Sequence, residues 1–134
     1  MSHIVSIKTQ VTDIEAVKAA CKELGFTFNE GAKDYQAWGT LRPACAHSIN
    51  VNRKGYKWEI GLIKNDAGYQ LSYDRFLELE MVKGEGAPLA KGGSNFIQHY
   101  AVHKATIEAR KRGYMVNRVA GKNGAIQLVV TGIK

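Results

Sequence analysis

The sequence predicts an α+β domain, with a mainly antiparallel sheet and two helices on one of its faces. Three observations carry that reading. A helix-period segment lies near each end of the chain, at 13–24 and 94–112. Between them the apolar residues recur at every second position, as in Trp58, Ile60 and Leu62, then Tyr69, Leu71 and Tyr73. Strands in a run flanked by helices, without strict β–α alternation, favour segregated helices over a parallel sheet. A ferredoxin-like sandwich is the first topology to consider, and 134 residues suit a single domain over 1–134.

Taken in order, His3 to Thr9 reads as a first strand. Thr12 and Glu15 have the Thr-x-x-Glu spacing of a capping box at a helix start. Ile14, Val17, Cys21 and Leu24 then form one apolar stripe, widened by Ala20, and Gly25 ends the helix. Phe26 and Phe28 re-enter the core or begin a strand. Tyr35 to Thr40 is a candidate short strand, and His47 to Asn52 alternates weakly. Tyr56 to Lys64 is a clearer strand. It turns at Asn65-Asp66-Ala67-Gly68 and returns through Tyr73. The segment Asp74 to Val82 fits a helix or a strand, and 84–93 reads as a glycine-rich loop.

The second helix begins at Ser94, a residue whose hydroxyl can accept a free backbone N–H, and Gly113 stops it. Phe96, Tyr100, His103 and Ile107 share one face. Ala101, Val102, Ala105 and Ala109 share a flatter one. The small face packs under a loop or against a second subunit, which makes Ala101, Ala105 and Ala109 the candidate oligomer face. The period then changes to two. Met115 to Ala120 and Ala125 to Thr131 flank Asn123-Gly124, a strong hairpin signal because both residues tolerate positive φ. Ile126, Leu128 and Val130 give the return strand one apolar face.

Net charge is +7 and lies at one end. Residues 1–52 carry five basic and five acidic side chains, and residues 53–85 carry six of each. Residues 86–134 hold eight basic residues against Glu108 alone. A solubilising surface accounts for this, and so does a patch for nucleic acid or an acidic protein. The candidates for such a patch are Lys91, Lys104, Arg110, Lys111, Arg112, Arg118 and Lys122. Three of them end a helix, where cations also suit the dipole.

Other chemistry is sparse. His99 and His103 are four apart on one helix, a metal-compatible spacing, but zinc normally needs three or four ligands. His3 or His47 joins them only through folding, and the expectation is no metal and no cofactor. Lys91, Gly92, Gly93 and Ser94 lead into a helix and are a candidate anion loop, although the order is not that of a phosphate-binding P-loop. Tyr56, Trp58, Tyr69 and Tyr73 on adjacent strands suit a core face or a stacking platform for single-stranded nucleic acid. Neither a Ser/His/Asp set nor a carboxylate pair stands out, so no catalytic residue is expected. Cys21 and Cys45 read as free thiols. No apolar run is long enough to span a bilayer and Met1 is not followed by a signal-peptide pattern, so the expectation is a cytoplasmic protein.

Residues 1–13, running into a helix that closes Glu23-Leu24-Gly25-Phe26, form one distinctive stretch. Tyr100-Ala101, Glu108 to Gly113 and Asn123 to Val130 form another. Ile60-Gly61-Leu62 with Asp66, Gly68, Tyr73 and Asp74 adds a central hairpin. Together they resemble the domain-of-unknown-function 1257 family, that of the plastid hypothetical reading frame 35, with members in bacteria and phages. Residues 29–55 have no counterpart in the family, and the ending Thr131-Gly132-Ile133-Lys134 lacks its basic-aromatic close. The resemblance implies no catalytic residue, because the family has no assigned chemistry. The functional expectation is a non-enzymatic binding or adaptor protein acting through protein contacts, as a homo-oligomer or with another protein. Nucleic-acid binding through the basic C-terminal third is the alternative.

Overall fold

The computed structural model describes residues 4–37, 39–52, 59–74, 94–120 and 126–132. The elements in chain order are β1 (Ile4–Val11), α1 (Ile14–Leu24), β2 (Thr27–Asn29), β3 (His47–Asn50), β4 (Glu59–Asn65) and β5 (Gly68–Asp74). They are followed by α2 (Ser94–Lys111), β6 (Tyr114–Ala120) and β7 (Ile126–Gly132). The class is α+β.

The first five strands form one sheet in the order β1-β5-β4-β3-β2, with every neighbouring pair antiparallel. β4 and β5 form the hairpin expected from Asn65-Asp66-Ala67-Gly68: Asn65 pairs with Gly68, and the Asn65 side chain accepts from Ala67 N–H at 2.9 Å. Gly68 there has φ 138°, and an added Cβ would meet the Val11 carbonyl oxygen at 2.7 Å. β1 and β2, joined through α1, stand on opposite edges of the sheet. The chain after α2 does not rejoin it: β6 and β7 pair with each other in a separate two-stranded ribbon. This departs from a ferredoxin-like sandwich, in which the last strand returns to the main sheet.

Period-two alternation explains the two sheet faces. Ile49, Ile60, Leu62, Leu71 and Tyr73 share one face through the registers Ile49↔Ile60, Ile60↔Tyr73 and Leu62↔Leu71. All five are fully buried and pack with Ala16, Val17, Ala20 and Cys21 of α1 and with Phe96 and Tyr100 of α2. The Phe26 and Phe96 rings stack at 6.4 Å. Both helices therefore cover this face. Burial pushes the Cys21 thiol up to about 12, as expected for a core cysteine.

The opposite face is lined by small residues in register, Ser48↔Gly61↔Ser72. The loop before β3 covers it with Tyr35, whose ring lies on Gly61 and whose hydroxyl sits 2.9 Å from Ser72 Oγ. Tyr35 is 1% exposed. Its loop is closed by Tyr35 N–H to Pro43 O and Ala37 N–H to Leu41 O, and Arg42 clamps Asp34 and Gln36. The segment expected as a short strand is thus a loop with an isolated Asp34–Ala44 bridge. Tyr35 serves as a cover, which alternation in sequence does not reveal.

The cap of α1 also differs from expectation. Asp13 is the N-cap, accepting from Glu15 N–H at 3.0 Å and Ala16 N–H at 3.3 Å. Thr12 is drawn away to α2, where Tyr100 Oη accepts from the backbone N–H of Thr12 at 2.8 Å and of Asp13 at 3.1 Å. At the other end Gly25 (φ 77°) and Phe26 return their N–H groups to Lys22 and Cys21, a Schellman closure.

Candidate functional site

The ribbon is the least covered part of the described chain. Its register places Tyr114, Val116, Arg118, Leu128 and Val130 on one face and Met115, Asn117, Val119, Val129 and Thr131 on the other. The first face rests on α2. The second carries Met115 at 54%, Val119 at 43% and Val129 at 47% exposure. Cover on the first face is partial too, because Tyr114 is 42% and Val130 51% exposed. A two-stranded ribbon is at best marginally stable alone. This one has apolar side chains on both faces, and among the described residues α2 is the helix that packs on it.

α2 and the ribbon meet along a ridge with a groove on each side. One groove, of about 260 Å3, is lined by Ala105, Glu108, Ala109, Arg112, Tyr114 and Val130. The other, of about 160 Å3, is lined by His103, Thr106, Arg110, Val116, Arg118 and Leu128. Of the alanines expected as an oligomer face, Ala101 and Ala105 are exposed and Ala109 is half-buried. Val102, expected beside them, is buried at 6%.

Glu23, near the end of α1, anchors the arm made by α2 and the ribbon. Its carboxylate accepts from Arg118 Nη1 in β6 and from His103 Nε2 in α2, the latter at 2.7 Å. His99 Nε2 stands 3.8 Å from the other carboxylate oxygen. His99 Nδ1 lies 2.9 Å from Asn95 O, so that nitrogen carries the proton and donates to the carbonyl. Burial pushes the Glu23 carboxyl up, but the bonds from Arg118 and His103 and the nearby charges outweigh it, and the net shift is below the usual carboxylate range. In the sequence Glu23 lies off the centre of the α1 apolar stripe, and nothing else there marks it. Its partners lie 80 and 95 residues away, so no local pattern points to them.

The two helix histidines converge as their spacing suggests, but on a carboxylate already engaged by a guanidinium. His47 lies elsewhere, between the rings of Phe28 and Tyr69 at 5.3 Å each, with its Nδ1 accepting from Gly31 N–H. Among the described residues no group of three or more His, Cys, Asp and Glu side chains is placed to hold a metal ion.

The basic side chains do not form one patch. Lys104 donates to Thr12 Oγ1 at 2.8 Å, and Arg118 is tied to Glu23. Arg110, in the last turn of α2, and Arg112, just past its end, line different grooves. Lys111 is exposed between them. Lys91, Lys122, Gly92 and Gly93 lie outside the described residues, as does the Asn123-Gly124 turn; Ser94 opens α2. Of the four sheet aromatics, Tyr73 is core and Tyr69 packs on His47, while Tyr56 and Trp58 lie outside the described residues. No helix among the described residues is long and apolar enough to cross a membrane.

No family model, curated protein or solved structure matches the chain.

Proposed function

We propose that the chain is a non-enzymatic protein-binding module that self-associates through its α2–ribbon arm. One observation carries the reading: Met115, Val119 and Val129 lie exposed on the outer face of a ribbon that pairs with no other strand among the described residues. Burying an apolar side chain that size stabilises by roughly 1.5–3 kcal/mol, so a partner on this face has a clear driving force. The occupant is a second copy of this chain. Among the described residues the groove beside the arm carries one acid and one base, Glu108 and Arg112, a turn apart and flanked by Ala105 and Ala109. About a two-fold axis this pair meets itself with opposite charges facing, and the alanines let two helices approach closely.

A resemblance to the domain-of-unknown-function 1257 family is part of the same proposal and rests on the sequence stretches alone. It adds no activity. The second reading is nucleic-acid binding through the basic third. It is favoured by the exposure of Arg110, Lys111 and Arg112 together at the end of α2. It ranks second because Arg110 and Arg112 line different grooves and Glu108 lies in one of them.

The deciding experiment is mass by light scattering across a concentration series, at low and high salt, with and without a single-stranded oligonucleotide. The self-association reading predicts a dimer mass that survives high salt. The nucleic-acid reading predicts a monomer that binds the oligonucleotide and releases it steeply with salt.

A further inference from the structure

We propose that the smaller groove, between Arg110 of α2 and Arg118 of β6, binds a tetrahedral oxyanion, a phosphoryl group above all. This inference does not depend on self-association.

The two grooves differ in charge. The larger one has Glu108 and Arg112 and is balanced. The smaller one is lined by Arg110, Arg118 and His103, with Thr106 and the apolar side chains of Val116 and Leu128, and no acid among the described residues lines it. Glu23 touches Arg118 and His103 from the α1 side. Among the described residues, one carboxylate is set against two guanidiniums, a net positive charge.

Glu23 also pre-organises the site. Its bond to Arg118 uses Nη1, one corner of a fork with five N–H donors. The guanidinium is therefore held in place while its other donors remain to be used. Arg110 has no carboxylate partner among the described residues. Two guanidiniums from different elements, one fixed and one free to close, suit an anion that accepts several hydrogen bonds at once. Thr106 contributes shape, since its hydroxyl donates to Val102 O at 2.8 Å. Val116 and Leu128 keep water off one side, which strengthens the charge contacts. A groove of about 160 Å3 has room for an oxyanion of five heavy atoms.

The test is a titration of inorganic phosphate into the full chain at constant pH and ionic strength. Sodium chloride compensates, and the arginine Nε–H resonances are followed by NMR. Saturable shifts at two arginines are expected, with millimolar affinity. Arg110→Gln, checked by its melting curve in chloride, should weaken binding at least tenfold, and Arg110→Lys should restore part of it. Lys111→Gln, outside both grooves, should change it less than twofold. Equal weakening by Arg110→Gln and Lys111→Gln would overturn the site in favour of diffuse screening, as would shifts that never saturate. Competition identifies the source of the phosphoryl group. Displacement of phosphate by a nucleoside 5′-monophosphate but not by an unphosphorylated oligonucleotide assigns a terminal monoester, and the reverse assigns a nucleic-acid backbone.

Discussion

Glu23 and Arg118 stand 95 residues apart in sequence and share a hydrogen-bonded ion pair that ties the ribbon to the first helix. His103 completes the tie from α2. The arm is thus docked on the sheet domain by the packing of α1 against α2, by the bonds of Tyr100 and Lys104 to Thr12 and Asp13, and by this carboxylate.

Glu23→Gln removes the charge from that tie and keeps its shape. A loss of about 1 kcal/mol of stability is expected, the upper range for partly exposed ion pairs. Hydrogen exchange separates local from global effects. Amides of 114–120 and 126–132 should exchange faster, while those of β4 and β5 should change only as far as global stability does.

Acid should loosen the same contact. The folded Glu23 carboxyl lies below its usual value, so the stabilisation is present above that value and is lost as pH falls through the folded one. Exchange of the ribbon amides, corrected for intrinsic rates, should rise as the pH is lowered below the usual carboxylate range. Glu23→Gln should lack this component. Equal acid sensitivity in both proteins would mean that another group loosens the ribbon.

Tyr35 and Gly61 make a second test, on the far face of the sheet. A Cβ at Gly61 would stand 2.2 Å from the Tyr35 ring, so the ring must move. Gly61→Ala should cost on the order of 1–3 kcal/mol by overpacking. Tyr35→Phe should cost about 1 kcal/mol through the lost bond to Ser72. Because Tyr35 and Gly61 touch, a double-mutant cycle of Gly61→Ala with Tyr35→Ala should be strongly non-additive, and additivity in denaturant melts would contradict the packing.

Tyr100→Phe addresses the α1–α2 contact. The tyrosine oxygen accepts two backbone N–H groups ahead of α1, and its loss leaves both without that partner. A cost of about 1–3 kcal/mol is expected in thermal or denaturant unfolding.

Much of the fold is legible in the sequence because it rests on local periodicity. The stripe Val17, Ala20, Cys21 of α1 is buried, and so is the alternation Ile60, Leu62, Leu71, Tyr73. Gly25 and Gly113 do end helices with positive φ. What the sequence hides is long-range. Asp13 takes the cap because Tyr100 claims Thr12, and Tyr35 covers Gly61 from a loop with no period. The period of β7 shows one apolar face, Ile126, Leu128 and Val130, but not what covers it. In the fold Leu128 and Val130 of that face meet α2, and Val130 stays half-exposed. The candidate site is legible only in part: the alanine face and the basic residues are visible in sequence, while Glu23 and the division of the arginines between two grooves follow from folding.

Self-association through the exposed apolar ribbon is read from the solution mass of Val129→Lys beside the unaltered chain. Val129 points outward and touches neither Glu23 nor the core, so the substitution should leave the melting of the monomer domain within about 0.5 kcal/mol. The unaltered chain should be a dimer at micromolar concentration and Val129→Lys a monomer. A monomer in both cases, at every concentration and salt, would contradict self-association.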